Sequence, residues 1–306
     1  MTDITASMVK ELRERSGAGM MDCKKALGET NGNIEDAIDF LRKKGIIKAG
    51  SKSGRVAAEG LVGLITEGRS GAIVEVNAET DFVARNDKFQ EMVRKIASIA
   101  PAAKGDIARL VAMKYPGGTP TVEETIKEMI ATIGENMTAR RTAIATVTDG
   151  VVSDYLHNKV ADGLGKIGVL VALESKGDKP TLFELGRQVA MQVAANNPLA
   201  LDIKGVPADV LAREKAILAD KNQGKKPEVL EKIFQSSLKS FAKENCLLDQ
   251  VWIHEPSKSV GQALKDAESR VGAPVTIASY IRYALGEGIE KATEDFAEEV
   301  KKAGGA

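Results

Sequence analysis

Hydrophobic positions along this chain first recur at helical spacing, then at strand spacing, then alternate between the two. Met8, Val9 and Leu12 share one face of a first helix that Gly17 ends. A second short helix carries Cys23, Ala26 and Leu27. Asn33 caps a third, whose Ala37, Phe40 and Leu41 face inward until Gly45 stops it. Residues 48–56, Lys-Ala-Gly-Ser-Lys-Ser-Gly-Arg-Val, read as a flexible basic linker. From residue 57 the period shortens. Leu61 to Thr66 and Gly71 to Asn77 predict a hairpin turning at Glu67-Gly68-Arg69-Ser70. Phe89, Met92, Val93, Ile96 and Ala100 predict a helix over 87–100, with Asp87 and Gln90 as its capping box and Pro101 as its stop. A small helix and a Gly-Gly-Thr-Pro loop fill 101–120. An amphipathic helix at 121–137 and a strand from Thr142 to Thr148 follow.

The plan then repeats. Strand 167–173 leads to a helix in which Glu184, Leu185, Arg187 and Ala190 match Glu91, Met92, Arg94 and Ala97 at constant offset. That copy ends at Asn196-Asn197-Pro198. Pro207 to Lys221 and Pro227 to Asn245 are helical segments with a five-residue link at 222–226, too short for anything but an antiparallel hairpin. Leu230, Ile233, Phe234, Ser237, Leu238 and Phe241 form a stripe along its second helix. Val251, Ile253 and the run Val275 to Tyr283 return to the sheet, and Ile289, Phe296 and Val300 mark a final amphipathic helix. The chain therefore reads as α+β. Residues 1–50 are a helical bundle, 51–56 a linker and 57–149 a first core unit. Residues 150–285 are a second core unit with a hairpin inserted at about 207–247, and 286–306 a C-terminal module.

A chain of 306 residues is long for one core and agrees with this division. Its 43 basic and 43 acidic residues cancel, which argues against broad, sequence-independent binding to nucleic acid. Aromatic content of 4% leaves little for base-stacking platforms. Cys23 and Cys246 are too few for a disulfide framework and read as buried or idle thiols of a reducing cytosol. No apolar run approaches a membrane span, and the start Met-Thr-Asp-Ile-Thr lacks a signal pattern, so a cytoplasmic location with no membrane partner is expected.

Two glycine patterns resemble nucleotide loops and fail on context. Gly45 to Lys52 has phosphate-loop glycine spacing with Ser and Lys reversed, and it follows a helix. Gly163-Leu-Gly165-Lys-Ile-Gly168 leads into a strand, where a dinucleotide fingerprint must open a helix. His157 and His254 lack nearby cysteines or a zinc pattern, and Glu298-Glu299 reads as a solvated helix face. No cofactor and no bond-making enzyme is expected.

The segment Thr80-Asp81-Phe82-Val83-Ala84-Arg85-Asn86 joins the strand ending at Asn77 to the helix at 87. Connections between rigid elements often carry binding residues. Phe82 and Val83 either plug the core beneath the loop, or Phe82 wedges into an apolar cleft of a partner while Asp81 competes for a cation or donor. Met20 and Met21 begin a helix and cannot both face a small core, so at least one is exposed.

The strings Lys10-Glu11-Leu12-Arg13, Gly17 to Leu27 (GAGMMDCKKAL), Thr80 to Asn86 and Gly286-Glu287-Gly288-Ile289-Glu290-Lys291 resemble bacterial elongation factor Ts along nearly the whole chain. That resemblance implies a UBA-like N-terminal bundle, a two-part α+β core, an inserted helical hairpin and a C-terminal module. It implies guanine-nucleotide exchange on elongation factor Tu, GDP-bound or nucleotide-free, during translation elongation. It places Thr80, Asp81, Phe82 and Val83 against the partner's Mg²⁺ site, and Met20 and Met21 against its nucleotide domain. His157, after Tyr155 and Leu156, falls where the family has a contacting histidine, although a lone histidine is also an ordinary structural residue. The alternative class is a translation-associated RNA-binding factor, suggested by the basic linker and Lys225-Lys226. A hydrolase is a third reading.

Overall fold

The computed structural model describes residues 4–16, 18–44, 52 and 54–290. Three helices open the chain, α1 (Ala6–Ser16), α2 (Met20–Glu29) and α3 (Ile34–Lys43). Leu12, Cys23, Ala26, Leu27, Ala37 and Leu41 are fully buried among them, at the positions the helical period predicts. The Asn33 side chain accepts the Glu35 and Asp36 N–H groups, so the expected cap is present. The expected stops at Gly17 and Gly45, and the final helix beyond residue 290, lie outside the described residues.

The core stacks helices on sheet on sheet on helices. Strands β1 (Glu59–Glu67) and β2 (Ser70–Ala78) form the predicted hairpin, with Gly68 at φ +57 in its two-residue turn. A one-turn helix α4 (Asp81–Ala84) and the longer α5 (Asp87–Ala103), α6 (Ile107–Ala112) and α7 (Val122–Ile133) then cover one face. They lead to β3 (Met137–Thr146), which pairs with β2. The second sheet is built from β4 (Gly150–His157), β6 (Ile167–Glu174) and β7 (Thr276–Ala284), after a short β5 (Leu164–Gly165) that pairs back with β1. Its outer face is covered by α8 (Lys179–Asn196) and α11 (Val260–Val271). In both sheets a hairpin is followed by a helix and a third strand that pairs with the hairpin's second strand, so the internal repeat is visible as topology.

Strands β2 and β6 are central in their sheets and covered on both faces, which explains their continuous apolar runs. Val62, Leu64 and Ile73 meet Val152, Leu170 and Ala172 between the sheets. Gly168 permits the close approach: a Cβ there would stand 2.8 Å from Val62 Cγ1 and 2.9 Å from Ile73 Cδ1. The glycines of the apparent dinucleotide fingerprint thus serve a turn and a sheet contact.

The inserted hairpin consists of α9 (Ala208–Lys221) and α10 (Pro227–Asn245), with Gly224 at φ +83 in the link. Its feet are close, since Leu248 N donates to Leu201 O at 3.0 Å and Leu247 N to Ala200 O at 2.9 Å. The stripe residues Leu230, Ile233, Phe234, Leu238 and Phe241 are only half-buried, and α9 has no fully buried residue. The two helices cover each other's apolar faces only in part.

Several local expectations need correction. Asn86, not Asp87, caps α5 by accepting from Lys88 and Phe89, while Gln90 turns back to donate to Ala84 O. Pro101 does not stop α5, which runs on to Ala103 because Ala100 and Ala103 are both buried. The helix after Thr121 stops at Ile133, where Gly134 adopts φ +88, and β3 starts earlier than the alternation at 142 suggested. Val251 and Ile253 lie outside the sheet and are exposed. Strand β4 and helix α11 carried no expectation.

Candidate functional site

Leaving the buried strand β2, the chain turns at Glu79-Thr80 and makes the single helical turn α4 before α5 begins. The expected loop is therefore partly helical, and its side chains are sorted by the turn. Val83 is 4% exposed and Ala84 2%, both packed in the first core, whereas Phe82 stands 76% exposed. Val83 thus seals the core while its neighbour Phe82 faces solvent. Asp81 Oδ2 pairs with Arg85 Nη2 at 3.0 Å on the surface, within the same turn.

Thr80 stands at the N-cap position of α4 but makes no capping hydrogen bond. Its hydroxyl donates to Glu135 Oε1 at 2.8 Å and its N–H to Glu135 Oε2 at 3.0 Å. Next to it, Glu79 accepts the Asn136 N–H and pairs with Arg55 at 3.4 Å. These groups come from distant positions in the chain and carried no sequence signal. The turn bearing Asp81 and Phe82 is thereby fixed to the connection between α7 and β3.

Met20 and Met21, in the first turn of α2, are 60% and 74% exposed. Both side chains face outward because Cys23, Ala26 and Leu27 fill the bundle. Asp22 beside them pairs with Lys127 of α7 at 2.7 Å, and Lys25 pairs with Glu124 at 2.7 Å. A groove of about 930 Å³ runs between bundle and core, lined by Met20, Ile107, Ile126 and Met137 among others, and it does not include residues 80–83. His157 is exposed at the end of β4, where its Nδ1 shares a hydrogen bond of 3.2 Å with Tyr155 Oη. The predicted contact residues therefore sit on three separate elements.

A second polar centre supports the core. Glu75 is a fully buried carboxylate in the apolar run of β2. A β-bulge opposite Glu75 and Val76 lets the consecutive Arg140 and Arg141 both reach it, which regular alternation would forbid. Asn77 Nδ2 donates at 3.0 Å and the Gly286 N–H at 2.8 Å. Burial alone pushes the carboxyl up, yet the Gly286, Asn77 and Arg141 donors together hold it below the usual carboxylate range. Gly286 has φ +71, and a Cβ would stand 2.4 Å from Ala58 O, so backbone packing requires this glycine, while Gly288 serves a backbone conformation at φ +76. Cys23 and Cys246 are both buried, and burial pushes both thiols up. Among the described residues no group of three or more His, Cys, Asp or Glu could hold a metal ion, and no helix is long and apolar enough to cross a membrane.

The sequence profile described as Elongation factor TS matches residues 79–287, from the Glu79 turn to the Gly286 clamp. Proteins named elongation factor Ts match over the whole length. That of Methylobacterium nodulans is 58% identical over 304 residues, 99% of each chain. That of Xanthobacter autotrophicus is 57% identical over 305 residues, 100% of this chain and 99% of its own.

The chain belongs to the elongation factor Ts family. Its role is nucleotide exchange on elongation factor Tu in translation elongation. A third member of the family, from Rhodopseudomonas palustris, is 56% identical over 308 residues. Such identity over whole chains extends the match beyond the profile to the N-terminal bundle and the first strand.

Proposed function

We propose that this chain releases GDP from elongation factor Tu by seating the Asp81–Phe82 turn against the partner's Mg²⁺ and phosphate site. The observation that carries this reading is Phe82, a large apolar side chain 76% exposed on a turn whose next residue is locked in the core. Such a ring buries little surface in this fold. It suits an apolar cleft on a partner, where an aromatic anchor on a rigid base binds at low entropic cost. Among the described residues Asp81 is held only by Arg85 on the surface, a pair worth about 0–1 kcal/mol, so its carboxylate is readily given to a new cation or donor. Mg²⁺ demands near-octahedral oxygen ligands and neutralises the phosphates. Disturbing its surroundings removes that compensation, and GDP leaves faster. By linkage, nucleotide rebinding weakens the factor's own grip, so the factor is released to act again.

In the same reading Met20 and Met21 add an adaptable contact from the separable 1–50 bundle, and His157 touches the partner from the end of β4. The chain acts in the cytoplasm, binds both GDP-bound and nucleotide-free partner, needs no cofactor, catalyses no bond change itself, and holds no stable nucleic acid. The deciding measurement is fluorescent-GDP release from elongation factor Tu with the Asp81→Ala, Phe82→Ala double variant. We expect a loss of at least about tenfold, near 1.4 kcal/mol, with little change in melting temperature. Heavy loss of thermal stability with exchange intact would overturn the wedge.

A further inference from the structure

We infer that Glu135 is a positioning residue for the exchange-promoting turn, an inference that rests on reading Asp81 and Phe82 as the elements that enter the partner. A threonine at a helix N-cap ordinarily accepts an N–H of the first turn with its hydroxyl. Thr80 gives up that role, and both its hydroxyl and its N–H donate to Glu135, one to each carboxylate oxygen. One carboxylate thus fixes the backbone position and the side-chain rotamer of the residue from which α4 departs. Glu135 is itself placed by a stiff corner. It lies between Gly134, which ends α7 at φ +88, and Asn136, whose N–H donates to Glu79 and whose side-chain amide donates to Arg55 O at 2.7 Å. Residues 79 and 80 are therefore both fastened to residues 135 and 136.

On its other side the turn is held by buried Val83 and Ala84 and by Gln90 Nε2 donating to Ala84 O at 3.0 Å. Asp81 and Phe82 are the exposed pair between these two anchors. With the Glu135 anchor removed, the turn would hold the competent direction only part of the time, and apparent affinity falls by that fraction. Glu135 need not touch the partner to matter.

The test compares Glu135→Ala, Glu135→Gln and Thr80→Ser in stimulated release of fluorescent GDP from elongation factor Tu. Amide hydrogen exchange at Thr80 and melting temperature are read on the same samples. We expect Glu135→Ala to lower exchange efficiency about fivefold or more, chiefly through the half-saturating concentration. Its Thr80 amide should exchange faster at an unchanged melting temperature. Glu135→Gln should recover most of the loss, because its carbonyl accepts the Thr80 N–H and the hydroxyl can reverse to accept from its NH₂. Thr80→Ser keeps both donors to Glu135, so its residue-80 amide should stay as protected as in the parent. Added to Asp81→Ala, Phe82→Ala, the Glu135→Ala change should cost nothing more. Unaltered release by Glu135→Ala, or an equal loss without Asp81 and Phe82, would overturn the positioning role while the wedge stands. Full release by the Asp81, Phe82 double variant would overturn the wedge and the positioning role with it.

Discussion

Phe82 and Val83 adjoin in the chain and are expected to respond oppositely to truncation. Val83→Ala removes two buried methyl groups from the first core and should cost about 1–3 kcal/mol in denaturant unfolding. Phe82→Ala should leave the unfolding midpoint where it is. Among the described residues Glu75 is the one fully buried charged side chain. Glu75→Ala leaves Arg140 and Arg141 facing a void and should cost about 3–5 kcal/mol, the range for breaking a buried pair. The acid dependence follows from its lowered value. The unfolded carboxyl takes up its proton near the ordinary 4.5, and the folded one only at lower pH. Its contribution is thus full above that ordinary value and is lost as pH falls through the folded one. As pH falls below that ordinary value the parent should therefore lose more stability than Glu75→Gln, which starts lower and has no proton to gain there. Equal acid slopes in urea titrations of the two would show that Glu75 is not the group responsible.

At the scale of elements, the hairpin is an arm whose feet are fastened and whose length is not. Cys246 and Leu247 at its base are fully buried, and Leu211 and Phe241 pack around Ala200 and Val206. Excision of the whole 207–247 segment would therefore remove core residues. Replacing residues 213–239 by about four Gly-Ser residues keeps the foot, at a modest loop-closure cost. The shortened protein should stay folded by circular dichroism and still release GDP, with weaker complex formation in calorimetry. A folded, partner-binding variant that releases no GDP would show the arm to be essential to release.

Taken as a whole molecule, the N-terminal bundle has its own buried core and meets α7 through Asp22–Lys127 and Lys25–Glu124. The second pair is exposed and contributes little. Deleting residues 1–50 should leave a folded core and raise the dissociation constant for elongation factor Tu, because Met20 and Met21 are lost with the bundle. An unchanged constant would remove those methionines from the contact. The rival reading, RNA binding, predicts affinity that falls steeply with salt, whereas balanced charge predicts little RNA affinity at any salt.

What the sequence determined by itself was local or periodic. Asn33 is a cap, Gly68 a turn, Leu12 and Leu27 a core face, and 207–247 a hairpin, because each depends on residues a few positions away. The order of helical and strand periods carried the α+β class, and family-specific strings the role on elongation factor Tu. The exposure of Phe82 beside buried Val83 was not legible, since an apolar pair in a connection fits plug and wedge equally. The one-turn helix decided it by pointing successive side chains to different sides. Strand β4 was missed because Gly150 to His157 mixes Ser and Asp into its valines, and β6 beside it supplies the pairing that makes it a strand. Glu75 could have been noticed as a charge inside an apolar strand. Its answer, two consecutive arginines brought in by a bulge some 65 residues later, could not. The same holds for Glu135 and Thr80, which are 55 residues apart. Long-range polar pairing leaves no period in a sequence, and only the folded backbone brings such partners within hydrogen-bond reach.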